Sequence, residues 1–95
     1  MFADDAVSIE PEGAPVEVTE GLAAIQDKGR EFMSTVEEFH SVVVSEPIVA
    51  GAFFTVSMAL DTTMKGRGRV TMEELCVYQV ESGKIASEQF FYTID

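Results

Sequence analysis

Two stretches of the chain alternate so as to bring ionisable and aromatic side chains onto one face of a β-sheet: Glu74, Cys76 and Tyr78 in one, Glu88, Phe90 and Tyr92 in the other. Phe54, Val56 and Met58 share one side of the preceding stretch and make the neighbouring apolar lining. Two carboxylates and two phenols among apolar groups could form an acid/base pair with hydroxyl donors, because desolvation raises a carboxyl pKa toward the range where proton transfer is useful. The same residues also suit a pocket rim and a subunit contact. His40, the one histidine, sits in a β-type run among Phe39, Val42 and Val44 and joins the candidate ligand-contacting residues, since imidazole changes charge near neutrality. A packed, hydrogen-bonded histidine is the plainer alternative. With one cysteine and one histidine there is no ligand cluster for a metal, no internal disulfide, and agreement with a reducing, cytoplasmic setting. No cofactor is expected.

The elements that must position these groups can be read from periodicity. Residues 6–10 and 16–18 are short extended runs separated by Pro11-Glu12-Gly13-Ala14-Pro15, which turns the chain, so they predict a hairpin. From Thr19, a plausible N-cap, Leu22, Ile25, Gly29, Phe32, Met33 and Val36 recur at spacings of three and four and predict a helix with one apolar face. Gly29 on that stripe reads as a close-packing glycine. Phe32 reads as a core contact with the sheet, so that truncation to Ala would cost about 3–5 kcal/mol. Residues 39–44, 48–60, 70–80 and 85–94 are rich in β-branched and aromatic residues and predict four sequential strands. Their breaks are Glu46-Pro47, Lys65-Gly66-Arg67-Gly68 and Glu81-Ser82-Gly83-Lys84, short turns that make an antiparallel meander. Neither face of these strands is cleanly polar, which predicts packing on both sides: the helix on one, a second subunit on the other.

Ninety-five residues suffice for one core, leave no room for a second domain, and favour completion by a homodimer. Seventeen acidic against six basic side chains give a formal charge of −11, which repels phosphate backbones and anionic lipid surfaces, so neither nucleic acid nor membrane is expected as a partner. Apolar stretches fall short of the roughly twenty residues of a membrane helix. Lys65, Arg67 and Arg69 gather half of the cations in one turn, which reads either as a solvated hairpin or as a small anion-binding turn.

The order hairpin, helix, meander, with Phe2-Ala3-Asp4-Asp5-Ala6-Val7 at the start, Gly21-Leu22-Ala23-Ala24-Ile25 opening the helix and Gly83-Lys84-Ile85 in the last turn, resembles the nuclear-transport-factor-two-like superfamily. Within it the chain resembles SnoaL-like proteins and the ketosteroid isomerases. The resemblance spans essentially the whole chain and implies an α+β domain, 1–95, in which a curved antiparallel meander packs on one long helix as a cystatin-like, cone-shaped half-barrel. It also implies that the helices preceding the Phe-Ala-Asp-Asp segment in the family are absent here. In the isomerases a carboxylate just before a proline moves the proton, and Glu10 before Pro11 occupies that place, which makes it the candidate general base. A solvated turn residue is the alternative reading of Glu10. The Asp that helps to stabilise the enolate in those enzymes aligns with Cys76, and its Tyr partner would lie in the absent part. The implied function is a small-molecule pocket protein for a hydrophobic compound, with isomerase- or cyclase-like proton transfer. The alternative is a noncatalytic ligand-binding or dimerisation module.

Overall fold

The computed structural model describes residues 1–94. In chain order the elements are β1 (Phe2–Ile9), β2 (Val18–Glu20), α1 (Leu22–Thr35), β3 (Val36–Val44), β4 (Ile48–Ala50), β5 (Phe53–Met64), β6 (Gly68–Glu81) and β7 (Lys84–Phe91). The strands form one curved sheet in the order β2-β1-β7-β6-β5-β3, with β4 beside the start of β5.

The predicted meander is present as β3, β5, β6 and β7, and its centre is the pairing of β5 with β6 from Phe53↔Gln79 to Met64↔Gly68 without a register break. β6 and β7 are joined through Ser82 (φ 52°) and Gly83 (φ 76°). Two consecutive left-handed residues are what a two-residue hairpin needs if its twist is to match that of the strands.

Three local expectations change. Residues 48–60 are not one strand: Gly51 (φ 59°) and Ala52 turn the chain, and β4 folds back on β5 with Ile48 opposite Thr55. Pro47 has no N–H to give to a ladder, so β3 and β4 flank β5 as one broken strand, and Ser45 bridges the break through its N–H to Ser57 O at 2.9 Å. The sheet is mixed, because β1 runs parallel to β7. Finally, Thr19 and Glu20 are strand residues paired with Ser8 and Val7, and the helix starts after Gly21. Gly21 has φ 91° and donates its N–H to Ala6 O at 2.8 Å, a left-handed conformation that ties the helix start to β1.

Ala6, Ser8, Thr62, Met64, Cys76 and Glu88 are the most buried strand residues, and alternation and register put all of them on the concave face. The core is therefore on that face, under α1. The helix packs chiefly on β1, and none of its residues is fully buried. Leu22 and Ile25 are half-buried. Phe32 remains 37% exposed, so its truncation should cost nearer 1–2 kcal/mol than the full core value. Gly29 has no close-packing role, since a Cβ there would meet nothing within 4 Å. On the convex face Phe53, Leu75 and Phe91 are all about half exposed. Among the described residues no helix is long and apolar enough to cross a membrane.

Candidate functional site

Strand pairing arranges the concave face in rows. Phe54, Tyr78, Glu88 and Ser8 are consecutive cross-strand neighbours on β5, β6, β7 and β1. The next row holds Val56, Cys76 and Phe90, with Glu10 just beyond the end of β1 at the level of Phe90. Met58 and Glu74 are paired in a third row, which Tyr92 completes just beyond the end of β7. The sheet thus brings together all of the residues that alternation had put on one face, and adds Glu10.

Glu10 is not a free turn residue. Its Oε1 accepts a hydrogen bond from the Tyr92 hydroxyl at 2.7 Å, and its Oε2 accepts one from Lys28 Nζ at 3.1 Å. The same Nζ donates to Ser8 Oγ at 2.6 Å and lies 5.5 Å from the centre of the Phe90 ring. Lys28 is the residue of this face that the sequence reading overlooked. Its signal was there: Leu22, Ile25 and Lys28 follow one another at a spacing of three, so a lysine stands on the helical stripe that should have been apolar.

Around this pair burial raises two phenols, a thiol and one carboxyl group above their ordinary values. Burial pushes the Tyr92 phenol up to about 12, and its bond to Glu10 adds to the shift. Burial also pushes Tyr78 up to about 12, with Cys76 and Glu88 beside it contributing. Tyr78 stacks on Phe54 with ring centres 4.8 Å apart. Burial and the neighbouring Glu74 carboxylate push the fully buried Cys76 thiol up to about 11, and its Sγ donates to Glu74 Oε1 at 3.7 Å. Glu74 is itself raised, first by burial and then by the negative charges of Glu10 and Glu88, while Cys76 and Lys28 oppose the shift. The face therefore offers one carboxylate that is positioned as an acceptor, two phenols as donors, and a carboxyl that keeps its proton to higher pH than usual. The carboxylates are not gathered into a metal-ligand group among the described residues.

His40 does not join them. β3 has a register irregularity against β5 between Phe39 and Ser41, and this bulge turns His40 away from the face of Val42. Its Nε2 is 2.7 Å from Thr63 Oγ1 and its Nδ1 is 3.6 Å from Glu38, on the convex side. Arg69 is on that side too, bound through two hydrogen bonds to Asp61, whose carboxyl it holds below the usual range. Strict alternation could not foresee the bulge.

The SnoaL-like domain profile matches residues 1–92. The chain belongs to the SnoaL-like family. No curated protein sequence matches it. Among solved structures this SnoaL-like chain is similar to a candidate SnoaL-like polyketide cyclase from Mesorhizobium loti, at 37% identity and TM-score 0.89, covering 96% of this chain and 78% of that one. It shares its fold with a protein of ketosteroid isomerase-like fold from Catenulispora acidiphila at 19% identity and TM-score 0.82, covering 98% and 70% of the two chains. It also shares it with TerC, which was crystallised with polyporic acid, at 16% identity and TM-score 0.79, covering 97% and 73%.

The shift at Glu74 makes a stability prediction. A carboxyl whose folded pKa is raised binds its proton more tightly in the folded than in the unfolded chain, so stability falls as pH rises from the ordinary carboxylate range through the raised value. Glu74→Gln removes that loss. The variant should melt higher than the parent at pH 7 and converge with it below about pH 4. Equal melting temperatures across pH 4–8 would show that Glu74 ionises as freely in the fold as outside it.

Proposed function

We propose that this SnoaL-like domain binds a hydrophobic, carbonyl-bearing or polycyclic compound on the concave face between α1 and the sheet, and transfers a proton on it with Glu10 as the base. The observation that carries the reading is the placement of the Glu10 carboxylate, held by Lys28 at one oxygen and Tyr92 at the other, on the face that also carries half-buried Phe90, Val56 and Met58. A carboxylate fixed in orientation at an apolar face is suited to taking a proton from the carbon next to a carbonyl. Tyr78, whose phenol burial holds above its ordinary value, is placed on the same face to donate to the enolate oxygen, and Glu74, whose carboxyl is also raised, stands two rows along the same strand. The likeness to a candidate polyketide cyclase at 37% identity supports a substrate of this class, and polyporic acid in a neighbour of the same fold is compatible with it.

A screen of enolisable ketones and polycyclic aromatics by thermal stabilisation tests the binding reading. A compound present at a hundred times its Kd should add about 2.7 kcal/mol. If no compound of either class raises the melting temperature at millimolar concentration, the reading fails.

We also infer that the convex face pairs with a second copy of the chain, since Leu75 and Phe91 are half-exposed cross-strand neighbours there and Phe53 is half exposed two rows away on the same face. Sedimentation should give a dimer at micromolar concentration. A monomer that melts cooperatively would remove the inference.

A further inference from the structure

The concave face carries more negative charge than its own cation can balance. Lys28 is spent on Glu10 and Ser8. Glu88 lies in the adjoining row, only 7% exposed, between Tyr78 and Ser8 in the strand register. It has no side-chain hydrogen bond and no ion pair among the described residues. The register sets it opposite Tyr78, one row from the Cys76–Phe90 pair on the same face. The Glu88 carboxyl oxygens are not sealed from solvent, since among the described residues the buried side-chain oxygen without a partner is Thr62 Oγ1, so Glu88 presents an acceptor that has no protein donor and that a ligand can reach. The surroundings also specify the filler. The stacked rings of Phe54 and Tyr78 border Glu88, and the Phe90 ring next to it already faces an ammonium. Aromatic faces attract cations and gain most where water is excluded. A hydroxyl could donate one hydrogen bond to Glu88, but an ammonium supplies several together with the charge. The chain's formal charge of −11 draws a cation toward the site and repels an anion.

We propose that the ligand of the concave face carries a protonated amine on its hydrophobic body, with the ammonium seated against Glu88 and beside the Tyr78 ring. The inference rests on the binding reading above and narrows its ligand class. Lys28 remains with Glu10, and the ammonium completes the row that Lys28 leaves open.

Calorimetric titration of the full chain with 2-naphthylmethylamine and with 2-naphthylmethanol tests this. The two share an aromatic body and differ in charge at pH 7. The amine should bind at least tenfold more tightly, Glu88→Gln should abolish the difference, and Glu81→Gln, which removes the same charge from the exposed β6–β7 hairpin, should preserve it. Should Glu88→Gln fail to fold, the carboxyl carbon resonance of Glu88 in the parent protein serves instead. It should move with the amine and stay with the alcohol. Equal affinity for the two probes, or a preference that survives Glu88→Gln, overturns the amine while leaving the hydrophobic site standing. Absence of binding by both probes overturns the amine and counts against the binding reading as well. A preference lost equally in Glu88→Gln and Glu81→Gln assigns the effect to net charge and also overturns the site.

Discussion

Glu10→Gln is expected to lower turnover of an accepted enolisable ketone by about a hundredfold or more while changing its affinity little. The amide keeps the size of the side chain and can still accept from the Tyr92 hydroxyl through its carbonyl, so the face should hold its shape. What it loses is the basic oxygen. Its NH₂ group would moreover be set toward either Lys28 Nζ or Tyr92, where the carboxylate has an acceptor for each of two donors. Ground-state binding depends on the apolar side chains of β5 to β7, which the substitution leaves alone. A loss confined to kcat is therefore the signature of a base, and a rise in KM alone would instead mean that Glu10 binds the substrate without reacting. Wild-type turnover in the variant would reduce Glu10 to an anchor for the helix. Ligand binding without turnover in the parent chain would leave the noncatalytic alternative as the function.

The fold was legible where periodicity carried it. The alternation of Glu74, Cys76 and Tyr78 with that of Glu88, Phe90 and Tyr92 foretold the composition of the concave face, and the Ser82-Gly83 turn foretold the pairing that aligns the two sets. Sequence could not foretell that β1 would join β7 in parallel, because pairings between distant segments leave no local pattern; that pairing is what carries Ser8, and Glu10 just past the strand, to the same face. His40 was misplaced by a single extra residue in β3, a change that alternation cannot register. Lys28 was visible as a charge three residues after Ile25, next to the position that Gly29 takes on the apolar stripe. The resemblance to the isomerases pointed to Glu10 as a carboxylate before a proline. It said nothing of Lys28 or Tyr92, which turn that carboxylate from a turn residue into a held group.

Lys28→Met is expected to destabilise the chain by about 2 kcal/mol, within a range of roughly 1–3 for leaving part-buried polar groups without a donor. Met reproduces most of the length and apolar surface of the lysine stem, so the packing of α1 on β1 should be kept and the effect assigned to the ammonium. Three interactions go with it: the bonds to Glu10 Oε2 and Ser8 Oγ and the contact with the Phe90 ring. Ser8 is fully buried and loses the donor that its hydroxyl accepts from. Glu10 loses one of the two groups that orient it and becomes a carboxylate beside apolar surface with Tyr92 as its remaining partner. An exposed pair would behave otherwise, since solvent replaces a lost surface partner at a cost near zero. Equilibrium urea unfolding separates the cases, and for a domain of this size a loss of 2 kcal/mol corresponds to a fall in Tm of roughly 8–16 °C. Combining Lys28→Met with Glu10→Gln completes the cycle. Once the charge on Glu10 is gone, deletion of its partner should cost at least 1 kcal/mol less than in the parent, because coupled neighbours are not additive. A Lys28→Met variant within 0.5 kcal/mol of the parent, or additive effects in the double variant, would mean that water already screens the pair and that Glu10 is not positioned from the helix.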